Sequence, residues 1–448
     1  MPRSNQARNA RSITMKYNAN ITSLFGLSSL FGLFSLFGLY CAQGVPLGLA
    51  IFALPGILRS LGADMRLIGL VGLSMLPWAF KMLWASFIEN HKPWFFRGLP
   101  TGLAWIQFCK VCSLIAMTLL WFFAPETHVL ALLLLVTLIN FFYASQDVAV
   151  GALVVRVFAG SRHVRVNVSQ IAGFSLGMLL GGVVSLYVFS VWGWSVTVWW
   201  FLLLQGLCHL PFMFHLGRFA AENKLPVIPG SASLWKIFRR KGWVPIVVMA
   251  VVFKFASTMG AALVSPLLVD MGVSLEQIAL LAGGVLIISY IVGAILSGVL
   301  HRWFSSPQLT IFGLLGSMLC WLGMTLSLSF SAHNSLPVFV FFILEGFFFN
   351  LCCVSIFAWF MCWSEGDEDQ GIVQPGTDFT LLQCCEVLGG SIAMVLSGTL
   401  AYYLGFTYAF GVATVCAFLV VLLTLYCFRR SQSAYAGFQK DRHTVEIG

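Results

Sequence analysis

Charge is what this chain has least of. Asp, Glu, Lys and Arg make up 9% of its 448 residues, whereas a soluble globular domain carries roughly 25%. A chain of this length folded in water needs a polar surface, and this one has almost none to offer, which excludes a soluble domain. Motifs are missing too. There is no P-loop, dinucleotide glycine fingerprint or HExxH, so no built-in ATP motor or nucleotide cofactor is expected. No catalytic constellation stands out, and the chain is not read as an enzyme. The twelve cysteines lie in apolar runs, with Cys362 at the end of one, and Cys352–Cys353 and Cys384–Cys385 are adjacent pairs rather than ligand spacings. They read as reduced core thiols. His209 and His215 stand six apart, off any one helical face, and no metal site is expected. The net charge of +9 is spread over short loops and tails, which argues against nucleic acid as a partner.

What is present is apolar. Hydrophobic residues make up 59%, with 41 Phe, 15 Trp and 42 Gly, a composition of membrane helices, where Gly is tolerated and aromatics gather at interfaces. Runs of roughly 20 apolar residues occur at 24–57, 66–88, 99–123, 128–154, 168–189, 194–217, 243–269, 276–299, 309–330, 336–361, 379–401 and 406–428. The expected fold class is an all-alpha polytopic membrane protein with 12 transmembrane helices in two pseudo-symmetric six-helix bundles. The first bundle is expected at 21–217 and the second at 243–428, joined by a cytoplasmic loop at 218–242. Tails at 1–20 and 429–448 are expected on the cytoplasmic side as well. Most of the 25 Lys and Arg fall in segments on one side under this scheme, and the opposite loops hold only Arg59 and Arg66. The positive-inside rule then puts both termini in the cytoplasm.

The two halves echo each other. LPGILRSLGADMRLIGLVG near the end of span one parallels SPLLVDMGVSLEQIALLAG near the end of span seven, aligning Gly62 with Gly272 and Asp64 with Ser274. Any hairpin needs a turn glycine and a cap, yet the match at equivalent span numbers favours a duplicated unit.

Ionisable groups in hydrocarbon are costly and normally face a bundle interior or a water path. Lys81, Lys110, Asp147, Lys254, Glu345 and Glu386 lie inside spans, while Arg156 and Asp378 lie at span ends, where snorkelling or capping accounts for them. Each internal charge has two readings, a fixed pair tying helices together or a site that binds an anionic solute or carries a coupling proton. Asp147 qualifies as a proton carrier only if no basic partner locks it. Gln43, Gln107, Gln146, Gln205 and Gln383 offer two-sided hydrogen bonds to a solute or to another helix. Small-residue runs such as GFSLGMLLGG (173–182) suit close helix crossings.

Four stretches carry a family resemblance: QGVPLGLAIFALPGILRSLG from Gln43, GLSMLPWAFKMLW from Gly72, ASQDVAVGALVVRV from Ala144 and PGTDFTLLQCCEVLGG from Pro375. They resemble the major facilitator superfamily, in the branch of muropeptide permeases and acetyl-coenzyme A transporters. The last two look closest to bacterial inner-membrane importers of ferric siderophores of the rhizobactin and pyochelin type. The resemblance implies alternating access between parallel halves, a small-molecule solute, a coupling proton, a monomer among membrane lipids and no cofactor. It implies solute binding or coupling for Lys81, Gln146, Asp147 and Gln383, and the intramembrane charges Lys254, Glu345 and Glu386 are expected to share that role. Gating or structural roles follow for Pro77, Trp84, Glu89, Arg156, Arg302 and Asp378. Two departures stand out. The branch's second carboxylate, four residues after Asp147, is Gly151 here. The acidic-then-basic signature after span two is reduced to Glu89-Asn90-His91-Lys92, and its counterpart after span eight, His301-Arg302, has no acid. A siderophore importer is the leading expectation, with a muropeptide permease next and a non-transporting receptor or scaffold last.

Overall fold

In hydrocarbon every backbone N–H and C=O needs a partner within its own segment, so long apolar runs become helices. The computed structural model describes residues 27–62, 70–158, 162–222, 232–240, 242–330, 334–365 and 373–430. Helix α1 runs Leu27–Gly48 and continues through a π-helical turn, Leu49–Ala53, into Leu54–Ser60. A 3₁₀ turn, Val71–Met75, leads into α2, which comprises Leu76–Phe80 and Met82–Asn90 on either side of a 52° bend. Then come α3 (Thr101–Leu119) and α4 (Val129–Val157). Helix α5 starts as Arg162–Leu179 and ends before Gly193, whose φ of 76° and ψ of −176° interrupt the helical stretch; α6 follows to Glu222. Helix α7 is Trp243–Val252 with Phe255–Asp270, and α8 runs from Leu275–Leu280 through a π turn to Leu286–Leu300. The last four are α9 (Ser306–Phe330), α10 (Ser335–Ser364), α11 (Pro375–Leu404) and α12 (Phe406–Arg430).

Ten of these stretches are long and apolar enough to cross a membrane, or eleven with the bent pair as one. One of them, Arg162–Ala221, contains the break at Gly193. The fold is therefore all-alpha and polytopic. The capping box expected at Ser274 and Gln277 is formed. Its counterpart Asp64, like the two tails as far as 26 and from 431, falls outside the described residues.

Packing repeats with a shift of six helices. Helix α1 lies on α5 and α6 as α7 lies on α11 and α12, and α3 lies on α4 as α9 lies on α10. Helix α1 crosses α5 closely. An ideal Cβ on Gly177 would stand 2.1 Å from the Cys41 carbonyl oxygen, and one on Gly181 would stand 2.0 Å from that of Val45. The two six-helix sets meet through α2–α11 and α5–α8. One apolar core spans both sets, running from Leu39, Val150 and Phe158 to Met249, Trp359 and Phe379. Two further cores stay within single sets, one around Leu54, Leu120 and Phe201, the other around Leu268, Trp321 and Phe410. The sets thus share a core at one end and keep separate cores at the other.

Candidate solute site and gate

Two lysines sit where helices break. Pro77, lacking an N–H donor, starts the short Leu76–Phe80 segment, and Lys81 occupies the bend that follows. Its Nζ pairs with the Asp147 carboxylate of α4 and donates to Gln383 Oε1 of α11 at 2.7 Å. Both members of the pair are buried. Trp78 lies with its ring centroid 5.4 Å from Nζ, and Trp84 Nε1 donates to Ser145 at 3.0 Å, holding α2 on α4. Lys254, between the two segments of α7, faces Glu386 of α11 at 3.1 Å and keeps 34% of its side chain exposed. Such breaks free backbone groups near a solute site in other transporters.

Glu345 behaves differently. It is buried in α10 and accepts from the Ser317 hydroxyl at 2.8 Å, itself 3.1 Å from Ser257. No basic side chain pairs with it among the described residues. Lys254, the charge in the second set that matches Lys81 in the first, pairs with Glu386 and not with Glu345. Buried polar atoms without a protein partner lie on α1 and α4: Tyr40 Oη, both side-chain heteroatoms of Gln43, and Gln146 Oε1. Lys110, whose helical face periodicity did not settle, is buried in the first set and bonds Gln205 and Tyr143.

A second constellation closes the end where the shared core lies. Glu89, last turn of α2, pairs with Arg156 of α4 at 2.8 Å. The same carboxylate accepts from Thr377 N and Oγ1, both at 2.8 Å, and from Gly376 N at 3.3 Å. It therefore caps the N-terminus of α11, where orphan N–H groups and the helix dipole favour an anion. Asp378, one residue on, is fully buried and pairs with Arg240, which also donates to the Trp363 carbonyl. Gln374 links Asp378 to Ser233, and Asn90 exchanges two hydrogen bonds with Ala232. The segment at 232–240 is thus strapped across α2, α10 and α11.

Several expectations change here. Arg156 is not a snorkelling anchor; it is a mostly buried ion-pair partner. Asp378 is no simple cap, because Arg240 claims it. The acidic signature after span two, reduced in sequence, is whole in space through Glu89. At Gly151, where the branch's second carboxylate is missing, a Cβ would stand 3.1 Å from the Phe379 ring, so a side chain there needs that ring to shift. Arg302 is exposed and has no carboxylate partner among the described residues. Sequence reasoning missed Tyr40, Thr377, Gln374 and Arg240. The last was read only as part of a basic loop.

The Major Facilitator Superfamily model matches residues 32–362, so the chain belongs to that superfamily. It is a multi-pass membrane transporter and not an enzyme. Over 284 residues it is 26% identical to an uncharacterized protein of Haemophilus influenzae, covering 61% of this chain and 65% of that one. It is 25% identical to the anhydromuropeptide permease of Escherichia coli K12, over 61% of this chain and 56% of the permease. AmpG 4 of Rickettsia conorii, named as a transporter, is 24% identical over 62% of this chain and 69% of its own length. The matches thus span between half and about two-thirds of these relatives. Among solved structures, an outward-facing bacterial homologue of the iron transporter ferroportin shares the fold at a TM-score of 0.68 and 13% identity, covering 89% of this chain and 99% of the other. The Escherichia coli fucose:proton symporter does so at 0.61 and 14%, covering 89% and 98%.

These relatives overturn the expectation of a siderophore importer and of iron transport. Those whose names state a function belong to the muropeptide-permease branch. The physical reason for the error lies in the motifs that carried it. PGTDFTLLQCCEVLGG opens with the Gly376–Asp378 turn that Glu89 and Arg240 hold, so it reports contacts between helices and the 232–240 segment, not cargo.

Proposed function

We propose that this chain is a bacterial inner-membrane secondary transporter that imports a muropeptide-type cell-wall fragment. The observation that carries this reading is the placement of Lys81 and Lys254 at breaks in two helices of different six-helix sets, each beside α11. An anionic fragment offers carboxylates to such lysines, and the unpartnered Tyr40 hydroxyl, Gln43 amide and Gln146 Oε1 offer hydrogen bonds to its polar groups. The likeness to the anhydromuropeptide permease supports the choice of cargo. In this reading α1–α6 and α7–α12 form twelve spans in two bundles, with the break at Gly193 dividing α5 from α6. The end strapped by 232–240 faces the cytoplasm, and the bundles rock about the lysines.

Glu345 is the coupling carboxylate in this reading. A proton carrier must gain and lose its proton, and Asp147 and Glu386 are each held by a lysine. Glu345 has hydroxyl donors and no basic partner among the described residues, so no lysine holds its carboxylate in place. Labelled anhydromuropeptide uptake into cells with and without the gene tests the cargo; equal uptake overturns it. Glu345→Gln is expected to uncouple transport, with accumulation against a gradient lost and exchange of bound solute retained. Uptake by the native chain that ignores collapse of the proton gradient defeats the coupling assignment.

A further inference from the structure

We propose a transition-metal site at the gated end, formed by His163, Cys362 and Glu365 and suited to Zn²⁺ or a similar borderline divalent cation. His163 is the second residue of α5, while Cys362 and Glu365 lie at the end of α10, so the site joins the two six-helix sets. One ligand atom from each residue lies within 4.8 Å of the others. His163 is fully buried with Nε2 at 2.6 Å from Glu365 Oε1, and the Glu365 side chain is 35% exposed, which gives an ion a way in. Zinc bonds of about 2.0–2.3 Å in a tetrahedron place ligand atoms roughly 3.3–3.8 Å apart. The three groups reach that spacing by small rotamer changes, the histidine–glutamate contact opening by about 1 Å. Imidazole, thiolate and carboxylate together select zinc-like ions over Mg²⁺ or Ca²⁺, which prefer all-oxygen shells. Water fills the fourth position from the exposed side.

Polar bookkeeping around His163 points the same way. His163 Nδ1 and Asn167 Oδ1 are both buried with no hydrogen-bond partner. Asn167 lies one helical turn along α5 and donates its Nδ2 to the His163 carbonyl at 2.8 Å. While Nε2 donates to Glu365, Nδ1 carries only a lone pair. A metal on Nε2 moves the ring proton to Nδ1, converting it to a donor one turn from an acceptor that lacks one. An outer hydrogen bond of that kind normally orients a metal-bound histidine. Because the ligands come from both sets, an ion held there binds the shut arrangement better than any in which α5 and α10 separate, and so favours it.

The test uses the full chain in detergent, stripped with a chelator and titrated with Zn²⁺ against a chromophoric competitor. One equivalent is expected to bind, and Cys362→Ser and Glu365→Gln, both at partly exposed positions, should each weaken it by roughly tenfold or more. Co²⁺ should give a thiolate charge-transfer band in the near ultraviolet that Cys362→Ser removes. Zn²⁺ should also slow maleimide labelling of Cys362. The proposal falls if no stoichiometric binding occurs, or if both variants bind as the native chain does. Labelling of Cys362 that is indifferent to Zn²⁺ also overturns it. None of these readouts depends on what the transporter carries.

Discussion

Asp147 is held by Lys81, and Lys81 is held in turn by Gln383 from the other helical set. Fixing a charge in this way leaves no free carboxylate at Asp147, which is why the proposed mechanism gives the coupling role to Glu345. Breaking a buried pair leaves one charge uncompensated and costs about 3–5 kcal/mol, while replacing both partners by apolar groups is close to neutral. Lys81→Met and Asp147→Leu singly are therefore expected to lower the thermal stability of the detergent-solubilised protein sharply. The double variant should recover most of the loss. If the two losses simply add, the pair is not a unit. That a charge stood in each apolar run was legible in sequence. Which charge met which was not, because Lys254 chooses between Glu345 and Glu386 by helix rotation, a quantity that one sequence with flat apolar periodicity does not encode.

Close packing of α1 on α5 was legible as a run of small residues, and the structure puts backbone carbonyls where their side chains would be. Without a hydrophobic driving force between helices in lipid, such contacts supply the attraction by dispersion. A bulky residue at Gly181 must push α1 away from its partner, at a cost of about 1–3 kcal/mol or more. Gly181→Leu should reduce the yield of folded protein and its melting temperature. Gly206→Leu, at a position in α6 with open space around it, should leave both nearly unchanged; equal losses would mean that the crossing is not special. The π turns in α1, in α5 (Leu180–Val184) and in α8 were not legible, since no residue pattern announces them. The break at Lys81 was half legible through Pro77.

The shut end depends on groups far apart in sequence. Glu89 alone ties α2, α4 and α11 together through one ion pair and three donated hydrogen bonds. Glu89→Gln keeps the shape but removes the charge that both Arg156 and the α11 N-terminus favour. Hydrogen bonds to charged groups contribute about 1.5–3 kcal/mol, and each 1.4 kcal/mol is about tenfold in population. Maleimide labelling of a cysteine placed at buried Ala232 should therefore speed up about tenfold or more in the Glu89→Gln background. An unchanged rate would show that the strap closes without Glu89. The all-alpha polytopic fold could be read from the apolar runs, of which ten or eleven stand as helices long enough to span a membrane among the described residues. The strap could not, because Arg240 looked like any other basic residue in a cytoplasmic loop.

The core shared at one end has a consequence for synthesis. As the chain is made, α1–α6 are complete before α10 and α11, and the part of the shared core that Trp359 and Phe379 supply is then missing. In the bilayer that unfinished floor is covered only by lipid or by a chaperone. The early half therefore waits as a conditional structure, and a nascent chain stalled before α11 is the form most exposed to proteolysis.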